Sequence, residues 1–143
     1  MKNRATRSFG WSRRGMTLVE IMVVITIIVG LMSVMAVQVL GALQEANVDT
    51  TKIKIRQVEQ ALQMYAIKHK GRFPSTSEGL AAASKYMPNP GEVPTDEWDN
   101  DFQYFSPGTH GDSPYEIVSL GRDGKEGGDS YDADIKSWDM DGD

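Results

Sequence analysis

Arg14-Gly15-Met16-Thr17-Leu18-Val19-Glu20 opens directly onto Ile21-Met22-Val23-Val24-Ile25-Thr26-Ile27-Ile28-Val29-Gly30-Leu31-Met32-Ser33-Val34-Met35-Ala36-Val37. No charged residue occurs from Ile21 through Leu43. A helix that spans a bilayer needs ~20 predominantly apolar residues, so this run is long enough to cross. It exceeds the ~7–15 residue apolar core of an ordinary secretory signal, and no small-residue cleavage site follows it. Lys2, Arg4, Arg7, Arg13 and Arg14 precede it, without an acid among them. That asymmetry keeps the N-terminus cytoplasmic and sends the rest of the chain across the inner membrane, to the periplasm where a cell has two membranes.

Working outward, the remainder is polar and acidic. The chain has 143 residues, enough for one small domain and one extra element. Net charge is -5, with 15 Lys+Arg against 20 Asp+Glu; without the five basic residues of the leader it becomes 10 against 20, or -10. Phosphate binding needs Lys and Arg, so a body this acidic excludes nucleic acid as a partner. Cysteine is absent, which excludes disulfide staples and thiolate metal sites. The two histidines, His69 and His110, stand near no Ser or Cys nucleophile signature, so the sequence does not read as an enzyme.

Glu20 is the odd residue, an acid one turn into an apolar helix. A carboxylate at membrane depth costs at least ~2.5 kcal/mol and normally acquires a partner. Glu20 is therefore either solvated at the interface or paired with a cation inside an assembly. Beyond Leu43 the pattern becomes amphipathic: Val48, Ile53, Ile55, Val58, Leu62 and Tyr65 recur at helical spacing among charged residues. One helix is expected over residues 17 to about 70, ended by Lys70-Gly71 ahead of Pro74; two helices broken near residues 41–47 are the alternative. Ser77 is expected to cap a second helix running to about Lys85, with Pro88, Pro90 and Pro94 in the following loop. Residues 103–106 and 115–120 read as strands joined by a turn, giving an α+β fold.

The segment Arg14-Gly15-Met16-Thr17-Leu18-Val19-Glu20 with its apolar run resembles the N-terminal signal of type IV pilins and pseudopilins. The resemblance extends along the chain to the major pseudopilins of type II secretion systems. Ser106-Pro107-Gly108-Thr109-His110-Gly111 is similar to their "SPGxHG" turn, and residues 96–102 to their "DPWGNPY" turn. Met16 stands where the family often has Phe, and Val37 where many members have proline. The resemblance implies cleavage by prepilin peptidase between Gly15 and Met16 and N-methylation of Met16. It implies that Glu20 meets the terminal amine of a neighbouring copy, and opposite charges in a low-dielectric helix core do compensate each other. It divides the chain into a leader (1–15), a transmembrane and filament-core helix (16–43) and a periplasmic globular domain (44–143). The partners it implies are further copies in a helical filament, minor pseudopilins and the inner-membrane secretion platform.

Leu120-Gly121-Arg122-Asp123-Gly124-Lys125-Glu126-Gly127-Gly128-Asp129-Ser130-Tyr131-Asp132-Ala133-Asp134-Ile135 is similar to the calcium loop of the same family. Calcium takes six to eight oxygens, and interleaved acids and glycines supply carboxylates and inward-turned carbonyls. An EF-hand does not fit, because counting from Asp123 the third residue is Lys125 and the twelfth is Asp134, not Glu. The resemblance implies Asp123, Asp134 and the Leu120 carbonyl as ligands, with Asp132 a further candidate and Asp129 and Glu126 behind it; the alternative is a solvated acidic loop. The tail from Asp139 to Asp143 is expected to fray. A surface type IV pilin and a membrane-anchored enzyme or calcium receptor are the competing functions. Against a surface pilin stand the lack of cysteine and the calcium-like loop.

Overall fold

The computed structural model describes residues 15–140, so the leader up to Arg14 and the last three residues lie outside the described part. The described chain forms two compact units, one ending at Val39 and one beginning at Leu40. Helix α1, Leu18–Lys68, is a single unbroken α-helix through Gly30 and Gly41. In the first unit its side chains are exposed all round, and an 18-residue window is apolar enough to cross a membrane. The hydroxyls of that stretch are satisfied within the helix: Thr26 Oγ1 donates to the Met22 carbonyl at 2.7 Å and Ser33 Oγ to the Gly30 carbonyl at 2.7 Å. Such internal bonding is what a helix needs where water is absent.

In the second unit α1 buries one stripe: Thr51, Ile55, Val58, Ala61, Leu62, Tyr65 and Ala66. Steps of four and three keep residues 51, 55, 58, 62 and 65 on one face. Ile53 departs from the expectation, since it is 53% exposed while Thr51 is fully buried. Two residues from Ile55 is more than half a turn away, whereas four residues is one turn. Thr51 also gains a polar partner, its Oγ1 accepting the Glu97 amide at 3.2 Å. The helix ends with Lys70 and Gly71 both at positive φ, and the Gly71 amide donates back to the Ala66 carbonyl at 2.8 Å.

Ser77 does not cap a helix. Ser75 Oγ instead accepts the Glu78 amide at 3.3 Å and Glu78 Oε2 accepts the Ser75 amide at 2.8 Å, the reciprocal bonds of a capping box. The element that follows, Leu80–Tyr86, is a 3-10 helix with no side-chain cap, entered through Gly79 at φ 63.

Three antiparallel strands complete the domain: β1 Gln103–Phe105, β2 Glu116–Ser119 and β3 Ile135–Lys136, in the order β1-β2-β3. Tyr104 pairs with Ile117, and Ser119 with Ile135. All four residues of the central strand are buried. The core joins Ile55, Val58, Leu62 and Tyr65 of α1 to Leu80, Ala83, Met87, Phe102, Tyr104, Ile117 and Ile135. Burying an aliphatic side chain fully contributes about 1.5–3 kcal/mol, so Ile55, Val58, Leu62 and Ile117, each 0% exposed, anchor this unit. The tail stays packed as far as Met140, which is partly buried against the core.

Asp96, 2% exposed, ties the connections together. Its Oδ1 accepts the amides of Trp98 (2.9 Å) and Asn100 (2.8 Å), and its Oδ2 accepts the Ser119 hydroxyl at 2.7 Å. A buried carboxylate stays in place only when its lone pairs are so occupied.

Candidate functional site

At the N-terminal end, Gly15, Met16 and Glu20 are all exposed, and Met16 is 66% accessible. The Glu20 amide donates to Thr17 Oγ1 at 3.3 Å, and the Thr17 amide reaches Glu20 Oε2 at 3.4 Å. Thr17-x-x-Glu20 is thus a second capping box, legible as a pattern in the sequence. A negative group in the first turn also favours the positive end of the helix dipole. Among the described residues the carboxylate accepts only this one long bond.

The acid- and glycine-rich segment, residues 120–134, folds back on itself. The Arg122 amide donates to the Tyr131 carbonyl at 3.0 Å, the Asp132 amide to the Asp129 carbonyl at 3.2 Å, and the Asp134 amide to the Gly127 carbonyl at 3.2 Å. Glycine is required at two of the crossings. At Gly121, φ +66, a Cβ would lie 2.7 Å from the Ala133 carbonyl oxygen; at Gly128, φ +82, it would strike the Asp132 carbonyl oxygen. Asn100 holds the loop from outside, its Nδ2 donating to the Gly121 carbonyl at 3.0 Å. Its Oδ1 sits where a side chain on Gly124 would be.

The four expected ligand residues differ in their surroundings. Asp123 is exposed, and its Oδ1 accepts the Lys125 amide at 3.1 Å. Leu120 is half-buried at the end of β2. Asp132 has both oxygens on Arg122, Nε to Oδ1 at 2.8 Å and a terminal guanidinium nitrogen to Oδ2 at 3.1 Å. Asp134 Oδ2 accepts the Gly127 amide at 3.1 Å, while its Oδ1 is buried without a hydrogen-bond partner. A buried carboxylate oxygen left over in a loop of glycines and carbonyls is an acceptor the loop itself does not satisfy, and a hard cation is the chemistry that fits it. Among the described residues no three His, Asp or Glu side chains converge as metal ligands. A cation here would therefore take much of its shell from carbonyls and water. Asp129 and Glu126 are exposed, and their side chains enter none of these bonds.

Beside this loop, Glu116 is an anchor that no motif in the sequence marks. It is 2% exposed and is capped by the amides of Thr109 and His110, by Thr109 Oγ1 at 3.1 Å and by His110 Nδ1 at 3.1 Å. Burial opposes its ionisation, but the His110 and Thr109 donors outweigh it and hold the carboxyl below its ordinary range. Trp138 stacks on His110 at 4.3 Å. The turn of residues 106–111 is thereby fixed to β2 through a carboxylate, a role that strand propensity does not reveal.

The family described as Type II secretion system (T2SS), protein G matches residues 38–138 of the chain. The chain is 40% identical to Type II secretion system core protein G of Pseudomonas aeruginosa, covering 87% of this chain and 94% of that protein. It is 35% identical to the corresponding protein of Vibrio cholerae, covering 88% and 92%. The crystal structure of the major pseudopilin from the type 2 secretion system of enterohaemorrhagic Escherichia coli superposes with a TM-score of 0.55 at 27% identity, covering 71% of this chain and 94% of that one.

Proposed function

The chain belongs to the type II secretion system protein G family, and from this we propose that it polymerises through its N-terminal helix into a filament that helps move folded proteins across the outer membrane. It is a structural subunit of the pseudopilus, in a family of structural subunits. The observation that supports the route of assembly is the first part of α1, apolar and exposed on every side, with one open carboxylate at its start. Such a surface is covered by lipid before assembly and by neighbouring helices after it.

In this reading the leader is removed between Gly15 and Met16 by prepilin peptidase, and Met16 is N-methylated. The N-terminus faces the cytoplasm, and residues 44–143 lie in the periplasm after a single pass through the inner membrane. Glu20 exchanges its long bond to Thr17 for the terminal amine of a neighbouring copy. Minor pseudopilins and the inner-membrane platform are the other partners. Calcium is held by Asp134, Asp123 and the Leu120 carbonyl. When bound it supplies a charge-compensating clamp that completes the loop.

The test is Glu20→Ala. It is expected to leave membrane insertion intact while filament yield, read by shearing and electron microscopy, falls below detection. Wild-type filament levels in this variant would overturn the pairing.

A further inference from the structure

We propose that Arg122 is the resident cation of the acidic loop, holding Asp132 out of the metal ligand set so that the loop closes without a divalent ion. The half of this inference that concerns metal affinity rests on the calcium reading above; the half that concerns loop closure does not.

The geometry carries it from two sides. Arg122 closes the loop twice, by its amide to the Tyr131 carbonyl at 3.0 Å and by its guanidinium to both oxygens of Asp132. A planar fork against a carboxylate fixes orientation as well as charge. The backbone of Asp132 is the point on which Gly121 and Gly128 both rest. Asp132 is therefore the residue around which the loop is wound, and Arg122 is its only charged partner in the described hydrogen bonds.

Asp134, two residues on, is the contrast. Among the described ion pairs none includes Asp134, and one of its oxygens is buried without a hydrogen-bond partner. Two neighbouring carboxylates in one loop thus have opposite requirements. One is already neutralised from within the chain, and the other awaits a charge from outside. A divalent ion that recruited Asp132 would have to break two guanidinium bonds. It is instead held by Asp134 with Asp123 and carbonyl oxygen, at the lower affinity that follows from one carboxylate fewer.

The experiment uses the full-length chain in detergent micelles, with calcium alone as the titrant and a chelator as the control. Arg122→Ala releases Asp132 and is expected to bind calcium about tenfold more tightly, read by titration calorimetry. Asp132→Asn in the Arg122→Ala background removes that gain, whereas Asp132→Asn in the wild-type background changes affinity by less than about twofold. With chelator present, cleavage at the exposed Lys125 by a lysine-specific protease is expected to be several-fold faster in Arg122→Ala than in wild type, and calcium slows it again in the variant. Unchanged or weaker calcium binding in Arg122→Ala, in a wild type that does bind, overturns the ligand-set assignment. If no form binds calcium, the calcium reading fails by itself, and the chelator arm decides the remainder: equal cleavage rates overturn the role of Arg122 in closing the loop, and faster cleavage in the variant upholds it.

Discussion

The two parts of α1 have the same backbone and opposite relations to their surroundings. Up to Val39 no residue of the helix is buried and hydroxyls bond to their own helix; from Thr51 to Ala66 a stripe of seven residues is buried in a core. The first part satisfies itself and leaves its surface for lipid or for other copies. The second part is one wall of a folded unit. The same contrast appears in the two capping boxes. Glu78 accepts the Ser75 amide, the Ser75 hydroxyl and two Arg72 bonds at 3.2 Å, whereas Glu20 accepts one bond at 3.4 Å. One motif thus serves as a finished turn in the domain and as an open acid at the helix start. What distinguishes them, among the described residues, is the supply of donors nearby, not the motif.

The sharpest way to break the contrast is to shorten a side chain in each part. Leu62→Ala should destabilise the domain by about 2–5 kcal/mol, because Leu62 is fully buried and leaves a cavity. Ile28→Ala should leave the melting of the domain unchanged, because Ile28 is exposed outside that unit. Calorimetric or circular-dichroism melting of both variants checks the pair, and equal losses would refute the division. A smaller effect is expected at the second capping box. Ser75→Ala should cost about 1 kcal/mol, while Ser77→Ala, whose hydroxyl only meets that of Ser75, should stay within about 0.5 kcal/mol. The reverse ranking would restore Ser77 as the cap.

The smallest effect should be a pH dependence. The Ser75 amide, with Arg72 and the Ser75 hydroxyl, holds the Glu78 carboxyl down to about 2. A folded-state value below the unfolded one stabilises fully above the ordinary carboxylate range. The contribution is lost as pH falls from about 4.5 toward 2. Glu78 is on the surface, so solvent screening keeps the gain slight. Glu116 is shifted in the same direction. Melting curves of wild type and Glu78→Gln between pH 7 and pH 2 should converge at the acid end; parallel curves would show that Glu78 contributes nothing there.

Much of this architecture was legible because its signals are local. A long charge-free run, a stripe of period 3.6 and two short segments with aromatic and β-branched residues around a Pro-Gly turn specify α1, β1 and β2 from neighbours alone. What was illegible depends on pairing at a distance. β3 has two residues, and its pattern is hidden among acids; only its registry with Val118 and Ser119 makes it a strand. Ile53 looked like core because apolar residues weigh more than phase, and Thr51 was overlooked because a hydroxyl reads as surface until the Glu97 amide is placed on it. Ser77 stands nearer the helix, but Ser75-x-x-Glu78 carries the full box pattern and makes the reciprocal bonds. In the acidic loop the residue types announced oxygen chemistry. The division of labour between Asp132 and Asp134 did not show, since it depends on residue 122 lying across from residue 131.

The burial of β2 between its two neighbours has a consequence in time. Its amides lie in the middle of the sheet, and all four of its residues are hidden. Deuterium reaches such positions only when the whole unit opens, whereas the loop of residues 121–134 exchanges through local openings that leave the core shut. A single labelling series thus contains two clocks, a slow one in Ile117 and Val118 that keeps the lifetime of the folded domain, and a fast one in the glycines that keeps the lifetime of the closed loop.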